Sequence, residues 1–364
     1  MTFYEFFAGG GMARLGLGDR WQCLFANEWS EKKAAAYTAR FGAAGLRVCD
    51  VATLAPADIP GLADLAWASF PCQDLSLAGN GAGLAGSRSG TFRPFWSLID
   101  SLAREGRPPR TVVLENVVGA ITSHGGRDFA ELLACMAAAG YSYGPLVLDA
   151  VDFVPQSRPR LFIVATQDGS GPRAAGPSYG HPRSLVDAHA ALDGRLRRRW
   201  IWWRLPEPPP RTATLAAVID KDGPWHEPAY TARLLSMMSP LNRRKVEGAR
   251  AAGVRIVGTI YRRTREGRQR AEVRFDGISG CLRTPAGGSS RQTVLVVEGK
   301  RARSRLLTAR EAARLMGVPD DYPIPSTYND AYHLFGDGVA VPVVRYLSEH
   351  LLAPIGSDSL CPKR

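Results

Sequence analysis

The stretch that decides the fold is Phe3-Tyr4-Glu5-Phe6-Phe7-Ala8-Gly9-Gly10-Gly11-Met12. Its residues 3–7, apolar except for Glu5, predict a strand that runs into three glycines, and an amphipathic helix pattern begins at Met12. Small residues at such a turn let a nucleotide-like ligand approach the backbone and the helix N-terminus. A glycine-rich turn also serves packing alone, so this stretch by itself leaves both interpretations open.

Further strand patterns alternate with helix patterns along the first half of the chain. The strands are predicted at 65–70, 111–117, 145–148 and 161–166, and the helices at 95–104 and 128–139. Near the far end, Thr308 and Glu311 stand at capping-box spacing and Gly317 stops the predicted helix. The alternation predicts an α/β fold with a doubly wound, mostly parallel sheet. Ligands of such sheets bind at the carboxyl ends of the strands.

Polar and aromatic residues stand where the second and third strands should end. Glu28 and Trp29 follow one strand, and Asp50 follows the next. An acidic side chain there can accept hydrogen bonds from both ribose hydroxyls, and an indole can cover an adenine face. Asp50 can take a further polar contact from the adenine. Each has an alternative as a surface residue, but together they predict an adenosyl pocket.

Cys72 lies in Phe70-Pro71-Cys72-Gln73, at the end of the strand pattern that begins at Leu65. This position displays the thiol at the ligand edge of the sheet, whereas most cytosolic cysteines are inert, small, apolar residues. Glycines recur in the segment that follows, as expected for a mobile segment that closes over a substrate; they are Gly79, Gly81, Gly83, Gly86 and Gly90. Cys72 is therefore the candidate nucleophile.

Three charged residues flank two other strand patterns. Glu115 follows four apolar or β-branched residues and would be costly in a core, so it should face the same crevice as Cys72. Arg158 and Arg160 are two residues apart, which would point them to one side, where they can brace a carbonyl or phosphate. A solvated strand edge is the alternative for the two arginines.

The chain has 364 residues and a net charge of +12, and the positive charge is concentrated in one segment. Residues 173–310 carry 28 Lys and Arg against 11 Asp and Glu, while the rest of the chain carries 18 against 23. Such a segment is expected to meet a polyanion, and arginine suits forked contacts to phosphates and guanine edges. A GC-rich genome, which favours arginine codons, is the alternative explanation.

The remaining composition excludes several classes of protein. The six cysteines form no C-x-x-C pair, which argues against a zinc site and against a disulfide framework. Neither a signal peptide nor an apolar run of about 18 residues is visible, so we expect a cytoplasmic protein without a membrane span.

In this order along the chain, the motifs resemble those of the DNA cytosine-5 methyltransferase family. They are Phe7-Ala8-Gly9-Gly10-Gly11, Asn27-Glu28-Trp29, Asp50, Phe70-Pro71-Cys72-Gln73, Glu115-Asn116-Val117, Gln156-Ser157-Arg158-Pro159-Arg160, Arg305 through Glu311, and Gly336-Asp337-Gly338-Val339. The resemblance covers nearly the whole chain except the middle of the basic segment. Met12 stands where many relatives continue the glycine run, and Asp337 replaces the usual Asn, which could alter cofactor affinity.

The resemblance implies S-adenosylmethionine as cofactor, the class I fold of methyltransferases that use it, and a set of site residues. The implied cofactor residues are Phe7, Ala8, Gly9, Gly11, Glu28, Trp29, Asp50, Val51, Pro71, Asp337 and Val339. The implied catalytic residues are Cys72, Glu115, Arg158 and Arg160. No metal is expected.

The implied mechanism is covalent catalysis on a base that has been rotated out of the duplex. Cys72 adds to C6 of cytosine, and C5 then attacks the methyl sulfonium. Glu115 donates a proton near N3, Arg160 holds the O2 side, and Arg158 supports the thiolate or its loop. The base that removes the C5 proton stays open, with water as one candidate.

The basic segment is predicted to be a small, irregular target-recognition domain over 173–324, and 1–172 with 325–364 to be the catalytic domain. The predicted contacts to double-stranded DNA are Gln73, Ser76, Arg88, Arg262, Arg263, Arg265, Arg268 and Thr284. We expect a monomer, with a cognate restriction endonuclease as an independent partner.

Three rival functions are weighed against DNA methylation. A transfer-RNA cytosine-5 methyltransferase shares the motifs, but the broad arginine-rich insert favours DNA. A non-catalytic DNA-binding regulator conflicts with the intact catalytic motifs. A cysteine hydrolase needs a histidine partner, and none of the six histidines lies in a recognisable dyad context.

Overall fold

The computed structural model describes residues 1–71, 91–265, 267–283 and 291–357, with the backbone alone at Arg265. The strands are β1 (Thr2–Phe6), β2 (Gln22–Glu28), β3 (Leu46–Val48), β4 (Leu65–Ala68), β5 (Thr111–Val117), β6 (Ser142–Asp149), β7 (Pro159–Thr166), β8 (Arg255–Arg265), β9 (Arg268–Arg274), β10 (Thr293–Glu298) and β11 (Arg301–Leu306). The helices are α1 (Met12–Leu17), α2 (Glu31–Phe41), α3 (Phe92–Arg104), α4 (Arg127–Ala138), α5 (Arg183–Ala191), α6 (Gly194–Arg197), α7 (Leu215–Val218), α8 (Pro228–Ser236), α9 (Pro240–Ala251), α10 (Ala309–Leu315), α11 (Tyr328–Asp337), α12 (Val341–Leu347) and α13 (Ala353–Ser357).

A seven-stranded sheet in the order β3-β2-β1-β4-β5-β7-β6 forms the centre of the first unit. Neighbours from β3 through β5 pair in parallel, and β7 runs antiparallel to both β5 and β6. The expected doubly wound, mostly parallel sheet is confirmed. Because the strand order reverses between β1 and β4, the crevice that binds ligands in such sheets opens at the carboxyl ends of these strands.

The central strands are buried on both faces, as a parallel sheet covered by helices requires. Every residue of β4 is buried, as are Phe3 and Phe6 of β1. Continuous apolar runs of this kind made β4 and β5 visible in the sequence.

A four-stranded antiparallel sheet in the order β11-β10-β8-β9 forms the centre of the second unit. Ile260, Ala271 and Leu295 on one face pack against Leu234 of α8 and Val246 of α9. The sequence predicted an irregular module here, and that expectation is corrected. Arginines occupy much of the exposed half of the strand alternation in β8 and β9, so the hydrophobic period is weak.

The chain divides into two compact units whose boundaries differ from those of the two expected domains. The first comprises 1–149, 159–207 and 343–364, and the second comprises 150–158 and 208–342. Residues 173–207 join the first unit because Trp203 is buried there and its indole N–H donates to the carbonyl of Val164 at 3.2 Å. Residues 325–342 join the second because α11 packs against α10. The catalytic and recognition roles of the units stay predictions.

Helix α10 begins with the predicted capping box. The Glu311 N–H donates to the Thr308 hydroxyl at 3.2 Å, and the Thr308 N–H donates to the Glu311 carboxylate at 2.8 Å. Gly317, with φ 69°, takes the left-handed conformation just after the helix. The same Glu311 carboxylate forms a fully buried ion pair with Arg305 at 2.5 Å. The Glu311 carboxylate thus caps the helix and also pairs with Arg305. Together these contacts give both of its buried oxygens a hydrogen-bond donor.

Glu5 is the charged exception within β1. It is 1% exposed, and its Oε1 accepts the N–H of Arg14 at 3.3 Å. Burial is the main cause that raises the pKa of Glu5 to about 8, and the nearby Glu28 charge contributes in the same direction. The folded protein therefore holds a proton on Glu5 that an unfolded chain, with a glutamate pKa of about 4.3, has already released near neutral pH.

We predict that the free energy of unfolding of the wild type falls as the pH rises from about 5 to 8. In Glu5→Gln this fall should be absent, because glutamine has no proton to release in that range. In that range the native state binds more protons than the unfolded state, so the wild-type free energy of unfolding should fall by up to about 1.4 kcal/mol per pH unit. Denaturant unfolding of both proteins at several pH values measures the difference. Parallel profiles would show that Glu5 is ionised in the folded protein.

Candidate active site at the carboxyl edge of the sheet

The turn after β1 combines left-handed backbone with open space. Phe7 has φ 57° and Gly9 has φ 56°, values that residues with side chains rarely adopt. A Cβ atom on Gly9 would meet nothing within 4 Å. On Gly11, with φ 76°, it would overlap the ring of Phe41 and lie 3.0 Å from Tyr37. Gly9 therefore leaves room for a ligand against the backbone, whereas packing of α1 against α2 explains Gly11.

Glu28 joins this turn to the end of β2. Its Oε2 accepts the N–H of Gly9 at 2.8 Å, and its Oε1 accepts the N–H of Ser30 at 2.9 Å. A carboxylate offers about four lone-pair sites, so each oxygen can accept one more hydrogen bond. Both remaining sites suit a diol, which fits the contact predicted for the ribose.

The other predicted adenosyl residues divide between surface and core. Trp29 is 70% exposed, and Val48, which sequence reasoning missed, is 47% exposed. Asp50 is exposed and accepts the N–H of Ala52 at 2.9 Å with Oδ1. The side chain of Val51 is 3% exposed and belongs to the hydrophobic core. Trp29 and Val48 thus leave apolar surface uncovered, while Val51 has only its backbone to offer a ligand.

Two buried asparagines that sequence reasoning did not assign tie strand ends together. Asn27 donates to the carbonyl of Cys49 at 2.9 Å. Asn116 donates to the carbonyl of Phe70 at 3.2 Å and accepts the N–H of Val117 at 2.8 Å. Each is 1–4% exposed and adjoins a predicted acidic site residue, which is the signal that could have found it. Asn116 fixes the chain two residues before Cys72.

Cys72, the predicted nucleophile, lies outside the described residues. The same holds for other predicted contacts, namely Gln73, Ser76, Arg88 and Thr284. Pro71, half-buried, is the last described residue before that segment. The roles of all these residues stay predictions.

Glu115 and Arg160 meet inside the first unit. Glu115 is 6% exposed on β5, and its Oε1 lies 3.4 Å from Nε of Arg160. The antiparallel register places Val117 of β5 opposite Arg160 of β7, so Glu115 is a diagonal neighbour. Two predicted catalytic side chains are therefore brought together at the carboxyl end of β5.

Arg158 belongs to the second unit. It precedes β7, so the alternation that would have set it beside Arg160 does not apply, and that expectation is corrected. The guanidinium is 2% exposed and donates to the carbonyls of Leu282 at 2.8 Å, Gly336 at 2.8 Å and Gly338 at 2.6 Å. These contacts close three segments of the unit around one cation. A catalytic role for Arg158 stays a prediction.

The last predicted cofactor residues lie between and beside the carbonyls that Arg158 holds. Asp337 ends α11 and is exposed, and Val339 is 4% exposed. Both belong to the second unit. Arg158 fixes the backbone of the segment that contains Asp337 and Val339. The contact of these two residues with a cofactor stays a prediction.

The predicted DNA contacts of the second unit lie near the tip of the β8–β9 hairpin. Arg262 and Arg263 lie in the last four residues of β8, and Arg268 begins β9. Arg263 is half exposed, with Nε 3.8 Å from the Glu272 carboxylate. The backbone of Arg265 lies in β8, and its side chain is outside the described part of the chain.

The described residues lack membrane-spanning helices and clusters of metal ligands. Within them, no helix is long and apolar enough to cross a membrane. The same residues contain no group of three His, Cys, Asp or Glu side chains that could hold a metal ion.

Comparison with known proteins places this arrangement among methyltransferases. The type II methyltransferase M.NgoBI of Neisseria gonorrhoeae is 30% identical over 343 residues, which cover 93% of this chain and 89% of that protein. M.NlaX of Neisseria lactamica is 29% identical over 360 residues, with 98% and 97% covered. The Entamoeba histolytica methyltransferase EhMeth has a similar structure, with a TM-score of 0.64 at 13% identity over 99% of both chains.

The S. pombe Dnmt2 methyltransferase structure gives a TM-score of 0.59 at 16% identity, over 97% of this chain and 99% of that one. These likenesses confirm the predicted class I methyltransferase fold with a smaller second unit. The model of the C-5 cytosine-specific DNA methylases matches residues 1–353. Together, the match across nearly the whole chain and the two Neisseria relatives show that this chain belongs to the C-5 cytosine-specific DNA methylase family.

Proposed function

We propose that this chain transfers a methyl group from S-adenosylmethionine to C5 of a cytosine rotated out of duplex DNA, at one defined target sequence. The observation that carries the proposal is the meeting of Glu115 and Arg160 at the end of β5, where Asn116 also holds the chain that leads into Cys72. In a member of this family, an acid and a guanidinium then lie at a strand end whose asparagine holds Phe70, two residues before Cys72 in the sequence.

The turn after β1 and the end of β2 fit S-adenosylmethionine. Gly9 gives the ligand space at the backbone, Glu28 keeps two acceptor sites for the ribose, and Trp29 offers an uncovered indole for the adenine. Asp50 has its Oδ2 to offer the adenine while Oδ1 caps the following turn. When bound, S-adenosylmethionine supplies an electrophilic methyl group on a sulfonium.

The residues of the chain would prepare cytosine for that methyl group. The thiolate of Cys72 adds its electron pair to C6, and the C5–C6 π electrons become available at C5. Glu115 gives a proton to N3, which neutralises the charge that the addition places on the ring. Arg160 orients the Glu115 carboxyl and holds the O2 side of the base. Once C5 is methylated, a base, for which water is one candidate, takes the C5 proton and the C5–C6 double bond re-forms as the thiolate leaves. N3 returns its proton to Glu115, which restores the acid.

DNA is the proposed substrate because the relatives carry the names of type II methyltransferases and the family is one of DNA methylases. We propose that the modified sequence is the one that a cognate restriction endonuclease would cut. Transfer RNA is kept as the alternative substrate, to be decided by assay, since structural likeness at 13–16% identity shows the fold alone.

The proposed function predicts transfer of a labelled methyl group from S-adenosylmethionine to duplex DNA, with 5-methylcytosine mapped at one short recurring motif. Cys72→Ser should lose turnover and still bind cofactor and duplex, because the hydroxyl is a far weaker nucleophile than a thiolate. Methylation of transfer RNA alone would favour the alternative, and turnover by Cys72→Ser would exclude the covalent route.

A matched pair of glycine substitutions tests the cofactor turn. Gly9→Ala adds a methyl group where a ligand would lie, so we expect S-adenosylmethionine to bind at least about tenfold more weakly, a loss of about 1.4 kcal/mol. Gly11→Ala adds its methyl group against Phe41, so we expect the larger fall in melting temperature. Calorimetric titration and thermal melting measure both. Wild-type cofactor affinity in Gly9→Ala would place the cofactor elsewhere.

Substitution of the two buried asparagines should affect different steps, namely turnover for Asn116 and cofactor binding for Asn27. Asn116→Ala frees the chain at Phe70 and should lower kcat about tenfold or more, with cofactor affinity unchanged, since a lost buried hydrogen bond costs about 1–3 kcal/mol. Asn27→Ala, the control of equal burial, loosens the β2–β3 end and should weaken cofactor binding instead. Equal effects of both variants on kcat would mean that Asn116 acts only through general stability.

A further inference from the structure

The β8–β9 hairpin sets arginines directly against one another. Its register pairs Arg263 with Arg270 and Arg265 with Arg268. Directly opposite residues of an antiparallel pair have Cβ atoms about 5 Å apart, so the like charges of Arg263 and Arg270 destabilise the sheet. This repulsion raises the free energy of the folded hairpin. An anion that binds between the guanidinium groups can lower it again.

The two faces of the hairpin differ in what they meet. Ile260 and Ala271 point to the apolar side, which packs under α8 and α9. Because side chains alternate along a strand, Arg263 and Arg270 belong to the opposite side. Arg262 shares the side of Ile260, which separates it from this group although it is the next residue along the chain.

Tyr261 adds an aromatic ring to the arginine side. The guanidinium carbon of Arg263 lies 4.8 Å from the ring centroid, and that of Arg283 lies 5.8 Å from it. Stacking on a ring holds guanidinium groups in place and lowers the entropy lost when they bind. The hairpin face, defined as Tyr261, Arg263, Arg268, Arg270 and Arg283, is therefore partly organised before it meets a ligand.

Negative charge on this face is scarce. Among the described residues, Glu272 is the carboxylate within ion-pair distance of the hairpin face, 3.8 Å from Arg263. At the other end of the same sheet the pattern is different, since Glu298 stands opposite both Arg255 and Arg301 and forms ion pairs with Arg255 at 3.5 Å and Arg303 at 3.2 Å. Among the described residues of this sheet, arginines thus stand directly opposite one another at the hairpin tip alone.

We propose that the hairpin face binds the phosphate backbone of the DNA duplex and positions it without reading its sequence. The inference rests on DNA being the substrate, as proposed above. Two guanidinium groups that face each other across a strand pair can converge on one phosphate, which relieves their mutual repulsion. Arg283, which sequence reasoning did not assign, acts with Arg263 through Tyr261.

The test compares two double variants that remove the same charge from one sheet. Arg263→Gln with Arg270→Gln should weaken binding equally for a synthetic duplex that carries the mapped target and for one that lacks it. The slope of log K against log salt should become shallower by roughly 1–2, since each phosphate contact contributes about 0.9. The methylated motif should not change, and the melting temperature should equal or exceed that of the wild type.

Arg255→Gln with Arg301→Gln is the control, and its salt slope should stay near the wild-type value. A wild-type slope in the hairpin variant overturns the proposal, and so does a loss of binding confined to the target duplex, which would indicate base reading. If the wild type binds no duplex at all, DNA as substrate fails and this inference fails with it. If the wild type methylates DNA but the hairpin variant keeps the wild-type salt slope, the phosphate contact is rejected and the proposed function is retained.

Discussion

Parallel pairing of β1 with both β2 and β4 is the constraint on which the rest of the first unit depends. The register aligns Asn27, Phe6, Ala68 and Leu114 in one row across four strands. The residues that come next are Glu28, Phe7, Ser69 and Glu115, so a glycine turn, an acidic anchor, the approach to Cys72 and a second acid all begin at one level. A slip of one residue in β5 would turn Glu115 to the other face of the sheet.

Charges inside the protein are accommodated in three different ways. Arg305 and Glu311 neutralise each other in full burial, and Glu115 has Arg160 beside it. Arg158 instead meets backbone carbonyls, whose dipoles stabilise a cation without adding a negative charge. Glu5 stays protonated near neutral pH because burial raises its pKa. Of these groups, the Glu115–Arg160 pair is the one that lies at the carboxyl edge of the sheet.

The sequence predicted what local patterns determine and missed what distant contacts determine. Buried parallel strands are apolar throughout, so β4, β5 and β7 were found within a few residues, and the Thr308–Glu311 capping box located α10. Strand β3 has only three residues and shows no period. The site residues were found because they follow strands, but the partners of Arg158 lie more than 120 positions away along the chain. No local pattern could show that this arginine is enclosed or that Trp203 draws residues 173–207 into the first unit.

The enclosure of Arg158 has a consequence for chimeric enzymes. The second unit is discontinuous, since residues 150–158 belong to it although they lie between β6 and β7. An exchange of residues 208–342 alone would leave the native guanidinium facing carbonyls from a foreign sequence, and a buried cation without well-placed acceptors is costly. A graft that carries 150–158 together with 208–342 would transfer the cation and its acceptors as one part. The natural crossover points for exchanging this unit between members of the family are therefore four cuts in the chain, two of them on either side of a nine-residue segment.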